Sequence, residues 1–477
     1  MTRRAILQIG TEKTGTTTLQ HFLASNRARL ADRGLLYPRF CGELNHTGLA
    51  AYALDPDKED ELRHPFGAHE AAQIEPMRDR LRRAAGAELA GASTVILCNE
   101  HCHSRLNRPS EIARLRDFLG AFFDDVRICV YLRRQDQVAL SLYSTRLKSG
   151  GTGADILPRT GSQDPYFNYE RSLALWAEAF GREAMHVRLF DRRSLAGGSI
   201  VSDFLAAWGL GAPASYQAVA DQNESITPVA QAYLRLLNGA LKPLPQLPLE
   251  AVRGPIAQSL ARHFPGRGAR PARAAAQAFH AQYRASNEAV RRDYFPDRAQ
   301  LFDEDFSGYP EADELAEIGP EALAAVAARL QTAQLGEIRR LEAEIAMRDA
   351  HLHWSRDEQA ATLQALARAR SWRPDHAAVH RTTAEYLYKL GRHDEALAAA
   401  GRAVELRDGS AEYWHFLGVL RRQAGDSEGA ATAQARVLQI DPAHAAARRE
   451  LDQLARLRAA PPIQPRKDQT WPRPISA

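Results

Sequence analysis

The sequence feature that most constrains the fold is the stretch from Leu7 to Gln20, which reads LQIGTEKTGTTTLQ. It begins inside a short apolar run, Ala5 to Ile9, that is typical of a buried strand. A loop rich in glycine and threonine follows, and apolar residues then recur at helical spacing, which predicts a helix from about Thr16. In such a unit the loop amides and the helix N-terminus converge on one point, where the helix dipole favours an anion. The stretch therefore predicts a phosphate-binding loop.

The position of the lysine separates this loop from the loop of nucleoside-triphosphate enzymes. That loop reads G-x-x-x-x-G-K-[ST], with the lysine directly after the second glycine. Gly10 and Gly15 have this spacing, but Thr16 stands where the lysine should be, and Lys13 lies inside the loop. Those enzymes hold magnesium with an aspartate at the end of a second strand. Here no aspartate ends the second apolar strand, and Glu100 is the acidic residue at that place. We therefore expect a doubly anionic ligand held by a lysine and hydroxyls without a metal; a threonine-rich turn with no ligand is the alternative.

Further apolar runs alternate with helical patterns along the first part of the chain. These runs are residues 94–98, 126–132 and 185–190. Strands that alternate with helices predict an α/β fold, a parallel sheet with helices on both faces. Ligands of such sheets bind at the carboxyl ends of the strands. We therefore expect the loop at Gly10, the polar residues from Glu100 and the pair Arg133-Arg134 to meet at one edge of the sheet.

Two motifs resemble those of a known family. The run Lys13 to Thr17 resembles the loop that binds the 5′-phosphosulfate in sulfotransferases that use 3′-phosphoadenylyl sulfate (PAPS). Arg133 and Ser141 lie eight residues apart, and similar sulfotransferases hold the donor's 3′-phosphate with an arginine and a serine at that spacing. A fork-shaped cation with a hydroxyl donor suits a phosphate dianion. The resemblance covers roughly residues 1–310. Two shorter segments also resemble bacterial carbohydrate-type members: Asn223-Glu224-Ser225 and Tyr294-Phe295-Pro296.

This resemblance implies a P-loop-like sulfotransferase fold and PAPS as the sulfuryl donor, with no metal. Lys13 would stabilise the charge on the bridging oxygen as the sulfuryl group moves. The acceptor would carry a hydroxyl group and would be a carbohydrate or glycolipid. The implied donor-binding residues are Thr11, Lys13, Thr14, Gly15, Thr16, Thr17, Arg133 and Ser141.

The residue that takes the acceptor's proton is open at this point. In related enzymes a histidine or glutamate does so, often at the end of the strand before the arginine strand. Glu100, His101 and His103 occupy that place, and either residue type can accept a proton if its pKa is suited. We favour Glu100, then His101, with His46 as a more distant candidate. A strand-end cluster that only makes hydrogen bonds is the alternative.

Composition excludes several other classes. The net charge of +4 over 477 residues is small, and the basic residues are spread along the chain, so no nucleic-acid partner is expected. No signal peptide and no apolar run of a membrane span's length are seen, and the four cysteines are too few for a disulfide scaffold, so we expect a cytoplasmic protein. The cysteines and histidines from Cys98 to His103 are too crowded for a zinc site, and no second ligand pair follows.

The C-terminal part contains a repeat. Gly391 and Gly425 lie 34 residues apart, and Ala396 and Ala430 match at the same offset. The second copy resembles the tetratricopeptide repeat at Trp414, Leu417, Gly418, Gly425, Ala430 and Pro442. That period implies paired helices stacked into a short solenoid, with a plain helical bundle as the alternative. The repeat would bind a protein partner.

The predicted organisation has four parts: a sulfotransferase domain over 1–319, a connecting helix over 320–342, a repeat domain over 343–458 and a disordered tail over 459–477. Within the first domain, residues 241–273 are proline-rich, and we interpret them as a mobile loop over the site. Two other functions are open: a nucleotide-dependent kinase, and a scaffold that has lost activity in its first domain and binds a partner through the repeat.

Overall fold

The computed structural model describes residues 2–191, 193–219, 225–242, 249–315 and 318–459. The chain forms two units, Met1–Leu330 and Gln331–Ala477. The predicted disordered tail lies outside the described residues beyond 459, as do residues 223 and 224 of the resembling segment that begins at Asn223. Each unit is built differently and is considered by itself.

The first unit contains a five-stranded sheet in which every pair of neighbours is parallel. The strands are β1 (Arg4–Gln8), β2 (Leu35–Leu36), β3 (Thr94–Cys98), β4 (Asp125–Leu132) and β5 (Met185–Leu189), in the order β2-β3-β1-β4-β5. Gln8, the last residue of β1, pairs with Cys98 on one side and Cys129 on the other. The carboxyl ends of the three central strands therefore lie along one edge. The predicted parallel sheet is confirmed.

Helices connect and cover the strands of this unit. The α-helices are α1 (Thr16–Ser25), α2 (Arg27–Ala31), α3 (Thr47–Ala53), α4 (Ile74–Glu88), α5 (His101–Arg105), α6 (Pro109–Gly120), α7 (Gln135–Lys148), α8 (Tyr169–Phe180), α9 (Ile200–Ala207), α10 (Pro228–Leu241), α11 (Leu249–His263), α12 (Arg273–Ala281) and α13 (Arg284–Tyr294). Short 3₁₀ helices cover Glu61–Phe66, Ala71–Gln73, Arg182–Ala184, Ala196–Gly198 and Pro213–Ser215.

Both faces of the sheet are buried under helices. Successive side chains of a strand point to opposite faces. In β1, Ala5 and Leu7 belong to one apolar core and Ile6 to another, and all three are at most 2% exposed. Helices α3, α4, α6 and α8 supply the first core, and α1 and α9 supply the second. The unbroken apolar runs of β1 and β3 are explained by this double burial.

The interpretation of residues 241–273 as a mobile loop is wrong for residues 249–263, which form α11 despite Pro255 within it. Leu260 and Ala261 are buried in a core that also contains Tyr143 and Ile226. Packing of an apolar face contributes most of a helix's stability in a protein, and here it outweighs the local cost of the proline. Residues 243–248 lie outside the described residues.

The second unit is made of helices. They are α14 (Pro320–Ser355), which begins in the first unit, α15 (Gln359–Trp372), α16 (Ala377–Lys389), α17 (His393–Leu406), α18 (Ala411–Gln423), α19 (Ser427–Ile440) and α20 (Ala445–Ala459). Helix α16 packs on α17, and α18 packs on α19. The predicted connecting segment 320–342 lies wholly within α14.

The helix pairs follow the 34-residue period of the sequence. Gly391 and Gly425 end the first helix of each pair with φ angles of 74° and 84°, which glycine adopts without strain. Ala396 and Ala430, at equivalent positions of the second helices, are both 0% exposed. Small residues at these positions let the paired helices approach closely. The predicted helical repeat is therefore confirmed.

Candidate phosphate-binding site

The loop between β1 and α1 has a backbone that depends on glycine. Gly10 and Gly15 have φ angles of 118° and 76°, and Lys13 has one of 65°. A Cβ atom on Gly10 would lie 3.3 Å from the Cβ atom of His103 and 3.4 Å from the Cα atom of Glu100. Position 10 thus requires glycine for its conformation and for the close approach of α5.

The N-terminus of α1 opens onto this loop without a capping side chain. Gly15 is the N-cap residue, and the first turn contains no acidic residue. The first amides of a helix have no partner within the helix, and they form the positive end of its dipole. Thr16 and Thr17 begin α1, so their amides are placed to receive an anion.

Two threonines of the loop use their hydroxyls to hold its backbone. Thr11 Oγ1 donates to the carbonyl oxygen of Tyr131 at 3.1 Å, and Thr11 N donates to the same oxygen at 2.9 Å. Thr14 Oγ1 donates to the carbonyl oxygen of Thr11 at 2.6 Å. Both side chains are buried. Thr11 therefore supports the loop with its amide and its hydroxyl, and Thr14 supports it with its hydroxyl.

The side chain of Lys13 reaches across the loop to α7. Its Nζ donates to Thr145 Oγ1 at 2.7 Å, and that hydroxyl donates to the carbonyl oxygen of Ser141 at 3.1 Å. Burial lowers the pKa of the Lys13 ammonium, although the charges of Glu12 and Glu100 oppose this shift. Lys13 and Ser141 are thus linked through Thr145, which the sequence analysis did not single out.

Arg133 follows β4 and joins that strand end to the loop. Its guanidinium donates to the carbonyl oxygen of Lys13 at 2.9 Å and to Gln137 Oε1 at 3.1 Å. It also lies 5.5 Å from the centroid of the Phe190 ring, which is a cation–π distance. Burial lowers the pKa of this guanidinium. Arg133, which follows β4, is therefore in direct contact with the backbone of the predicted phosphate-binding loop.

A cavity of about 910 Å³ lies beside the loop, which is within the size range of small-molecule sites. Its lining includes Gly15, Thr18 and Arg133. Apolar residues make up much of the rest: Phe22, Phe190, Leu195, Ile200, Val201 and Val219. Among the described residues, Lys13 and Ser141 are not part of the lining. Charged residues also line the cavity: Arg134, Arg193, Asp191, Asp303 and Asp305. Asp191 and Asp303 are paired with Arg193. The guanidinium of Arg133 beside an apolar wall suits an anionic ligand with an aromatic part.

Arg134, next to Arg133, holds two segments of the fold together. Its Nε and one Nη donate to the two carboxylate oxygens of Asp136 at 2.8 and 3.0 Å. Its other Nη donates to the carbonyl oxygens of Asp303 and Asp305 at 2.6 and 2.8 Å. These bonds fasten the segment after α13 to the start of α7, so this guanidinium is not free for a ligand.

The residues after β3 separate into different environments. Glu100 Oε2 accepts hydrogen bonds from Gln20 Nε2 and from Asn45 Nδ2, the latter at 3.3 Å. His101 Nδ1 lies 3.5 Å from Glu12 Oε1. His103 is 5% exposed, and burial lowers its pKa to about 4. His103 is therefore neutral near pH 7, and its ring packs edge-on against another aromatic ring.

His46 is held entirely by backbone groups. Its Nδ1 accepts from Cys98 N at 2.9 Å, so its Nε2 carries the proton and donates to the carbonyl oxygen of Pro38 at 2.9 Å. Burial lowers its pKa to about 4. With both nitrogens bonded and the ring fully buried, His46 is poorly placed to take a proton from an acceptor.

Sequence reasoning missed Glu12 and Tyr166. Tyr166 Oη donates to Glu12 Oε2 at 2.9 Å, and its ring centroid lies 5.2 Å from that of His103. Burial raises the pKa of Glu12, but side-chain contacts from His101, Ser104 and Tyr166 outweigh burial and hold that pKa at about 2. An acidic residue inside an anion-binding loop was a signal for Glu12. Nothing in the sequence points to Tyr166, which is distant along the chain.

In the described part of the chain, no group of three or more histidines, cysteines or acidic residues is placed to hold a metal ion. None of its helices has the length and apolar character needed to cross a membrane. The four cysteines are buried and unpaired.

A relative of this chain is found among known proteins. No family model matches the chain. An uncharacterized protein of Archaeoglobus fulgidus is 28% identical over 224 residues, which are 43% of this chain and 56% of the relative. The chain thus spans about half the length of the curated relative it matches.

Solved structures of tetratricopeptide proteins are similar to about a quarter of the chain. The first such domain of RPAP3, bound to an HSP90 peptide, is 17% identical and covers 25% of this chain and 95% of its own, with a TM-score of 0.24. MamA is 15% identical, with 24% and 68% covered and a TM-score of 0.23. The Sgt2 domain of Aspergillus fumigatus is 20% identical, with 27% and 91% covered and a TM-score of 0.24. The helical repeat of this chain is defined by its own helix pairs, α16 with α17 and α18 with α19.

Proposed function

We propose that the first unit is a sulfotransferase that moves a sulfuryl group from PAPS to an acceptor hydroxyl. The observation that carries this proposal is the contact between Arg133 and the carbonyl oxygen of Lys13 at the edge of the 910 Å³ cavity. Arg133 lines this cavity together with Gly15, the N-cap residue of α1, and Thr18 of the first turn of α1. These groups have the charge and shape to hold a nucleotide with two separate anionic groups.

The donor would be held by groups with distinct tasks. The amides of Thr16 and Thr17 would hold the 5′-phosphosulfate at the start of α1. Arg133 would hold the 3′-phosphate, and the Phe190 ring and its apolar neighbours would pack on the base. Ser141 lies on α7 near Thr145, outside the cavity lining, so its contact with the donor depends on a shift of that helix or on water.

The transfer itself needs a proton acceptor and a charge stabiliser. Glu100 or His101 would take the proton of the acceptor hydroxyl, whose oxygen attacks sulfur. Lys13 Nζ would leave Thr145 and donate to the oxygen on which charge develops as the bond to the donor's phosphate breaks. A carbohydrate or glycolipid is the acceptor class implied by the resemblance.

Binding of 3′-phosphoadenosine 5′-phosphate (PAP), measured by calorimetry without magnesium, tests the donor assignment. We expect PAP to bind at least about tenfold more tightly than adenosine 5′-phosphate, because Arg133 is assigned to the 3′-phosphate. Equal affinities would contradict the role of Arg133. A preference for adenosine triphosphate with magnesium would favour the kinase alternative. Labelled PAPS with pools of carbohydrate and glycolipid acceptors then tests for transfer.

The helix pairs favour a second function for the other unit, the binding of a protein partner. Stacked helix pairs bury their own core and leave an extended surface for a ligand. If the first unit binds PAP but transfers nothing to any acceptor pool, the scaffold alternative gains support. A pull-down with residues 331–459, with and without the first unit, would then identify what the repeat binds.

A further inference from the structure

Glu12 is an acidic residue in a loop suited to an anion, and the proposed donor site does not use its carboxylate. That carboxylate is 15% exposed. Its Oε1 lies 3.5 Å from His101 Nδ1, and its Oε2 accepts from Tyr166 Oη at 2.9 Å. Glu12 therefore connects the loop to α5 and to the segment before α8.

The charge of this carboxylate is set by its neighbours. Burial raises the pKa of Glu12, but the side-chain contacts with His101, Ser104 and Tyr166 outweigh burial and hold the pKa at about 2. At neutral pH Glu12 is an anion and too weak a base to take a hydroxyl proton. The imidazole of His101 beside it is a group that can do so.

The orientation of His101 follows from this anion. Its Nδ1 is buried without a hydrogen-bond partner and lies 3.5 Å from Glu12 Oε1, whereas the side chain as a whole is 24% exposed. A carboxylate beside one imidazole nitrogen favours the tautomer with the proton on that nitrogen. Nδ1 then carries the proton, and Nε2 keeps its lone pair for a proton from outside.

We propose, on the basis of the proposed function, that Glu12 is a positioning residue for His101 and that His101 Nε2 accepts the proton of the acceptor hydroxyl. The acceptor's O–H bond breaks as its oxygen bonds to sulfur. The bond between sulfur and the donor's phosphate oxygen breaks, and its electron pair stays on that oxygen. The proton moves to Nε2, and Glu12 stabilises the imidazolium. In this proposal Glu100 keeps its hydrogen bonds with Gln20 and Asn45 and does not take the proton.

The tautomer of His101 is the direct test, measured by ¹⁵N NMR on the full-length protein labelled at histidine, with His101→Gln to assign the signal. We expect the Nδ1–H tautomer in the unmodified protein. Glu12→Gln should shift the equilibrium towards Nε2–H. Glu178→Gln, which removes an exposed carboxylate on α8, should change nothing. An Nε2–H tautomer in the unmodified protein overturns the inference, and this result requires no folded Glu12 variant.

Turnover is measured with labelled PAPS and water as the acceptor. Glu12→Gln and His101→Gln should release sulfate at least about tenfold more slowly, with PAP affinity changed by less than about threefold. Glu12→Asp, which keeps the charge, should recover part of the rate. An unchanged rate and tautomer in Glu12→Gln overturns the positioning role and leaves the proposed function standing. Absence of PAP binding by the unmodified protein overturns both.

Discussion

At the scale of single residues, the chemistry depends on which side chains can change partner. Arg134 is held by a carboxylate and two carbonyl oxygens, whereas Lys13 Nζ contacts the neutral hydroxyl of Thr145. A lysine that leaves a neutral hydroxyl loses little compared with one that leaves a buried carboxylate. Lys13 is therefore suited to meet a charge that appears only during the reaction.

Lys13→Ala should lower the rate of sulfuryl transfer by about 100-fold or more, because a donor aimed at developing charge acts in the transition state. PAP affinity should fall by less than about threefold. Single-turnover kinetics with labelled PAPS and calorimetry with PAP separate the two effects. Arg29→Ala removes an exposed cation of α2 and serves as the control. A large loss of affinity with an unchanged rate would assign Lys13 to ground-state binding.

Arg133→Ala should weaken PAP binding by about tenfold or more, because a charge-assisted contact with the 3′-phosphate is lost. The affinity for adenosine 5′-phosphate should change by less than about twofold. Arg193 lines the same cavity, but its guanidinium is paired with Asp191 and Asp303, so Arg193→Ala is the matched control. If both variants lost PAP affinity equally, the arginines would attract the ligand only through their general positive charge.

Glu12 makes a pH-dependent contribution to stability. Its pKa is lowered from 4.5 to about 2 in the folded protein, so the contribution is complete above about pH 5 and is lost as the pH falls towards 2. The shift corresponds to at most about 3 kcal/mol. Glu12→Gln should therefore be less stable than the unmodified protein at pH 6 and closer to it at pH 3, as measured by urea unfolding. A constant difference across this range would contradict the ionised, stabilised carboxylate.

At the scale of elements, local patterns predicted the sheet well. The apolar runs at 94–98 and 126–132 became β3 and β4 within a residue, because strands buried on both faces need unbroken apolar sequence. Helix α11 was missed because local proline signals were outweighed by burial of Leu260 and Ala261 in a core made of distant residues. Sequence patterns contain no direct information about such packing.

The candidate site was also predicted only in part, for its local features and not for its long-range contacts. The loop and Arg133 follow from spacing, and the structure brings them into contact. The partners Thr145 and Tyr166 approach the loop only after α7 and the segment before α8 have packed. The carbonyl oxygen of Tyr131 can accept from the amide and the hydroxyl of Thr11 only because β1 pairs with β4. These relations are long-range, and periodicity cannot show them.

Gly10→Ala tests the junction of β1 and its loop. The φ angle of 118° and the contacts with α5 should make this variant less stable by about 1–3 kcal/mol and weaken PAP binding. Gly86→Ala is the control, since Gly86 lies in α4 with no atom within 4 Å of an added Cβ. It should be neutral or more stable by up to about 1 kcal/mol. Thermal melting of both variants gives the comparison. A neutral effect at Gly10 would contradict the tight loop.

At the scale of the whole molecule, the first unit includes the start of α14. Val326 is 1% exposed in the core that contains Tyr143 and Ile226. A chain that ends at Gly319 should therefore be less stable than one that ends at Glu342, by about 2 kcal/mol or more. Both should bind PAP, because neither cut removes a residue of the proposed donor site. Thermal melts and PAP titrations of the two chains test this, and equal melting temperatures would favour a boundary at 319.

The place of β1 in the sheet has a consequence for the order of events during synthesis. It leaves the ribosome before both of its neighbours, since Arg4 pairs with Thr94 on one side and with Asp125 on the other. At typical rates of about 5–20 residues per second, the second of these neighbours is made roughly 6–25 seconds after β1. The loop after β1 is therefore translated before both of the strands that flank β1, and it acquires its shape only when Tyr131 becomes available to hold it.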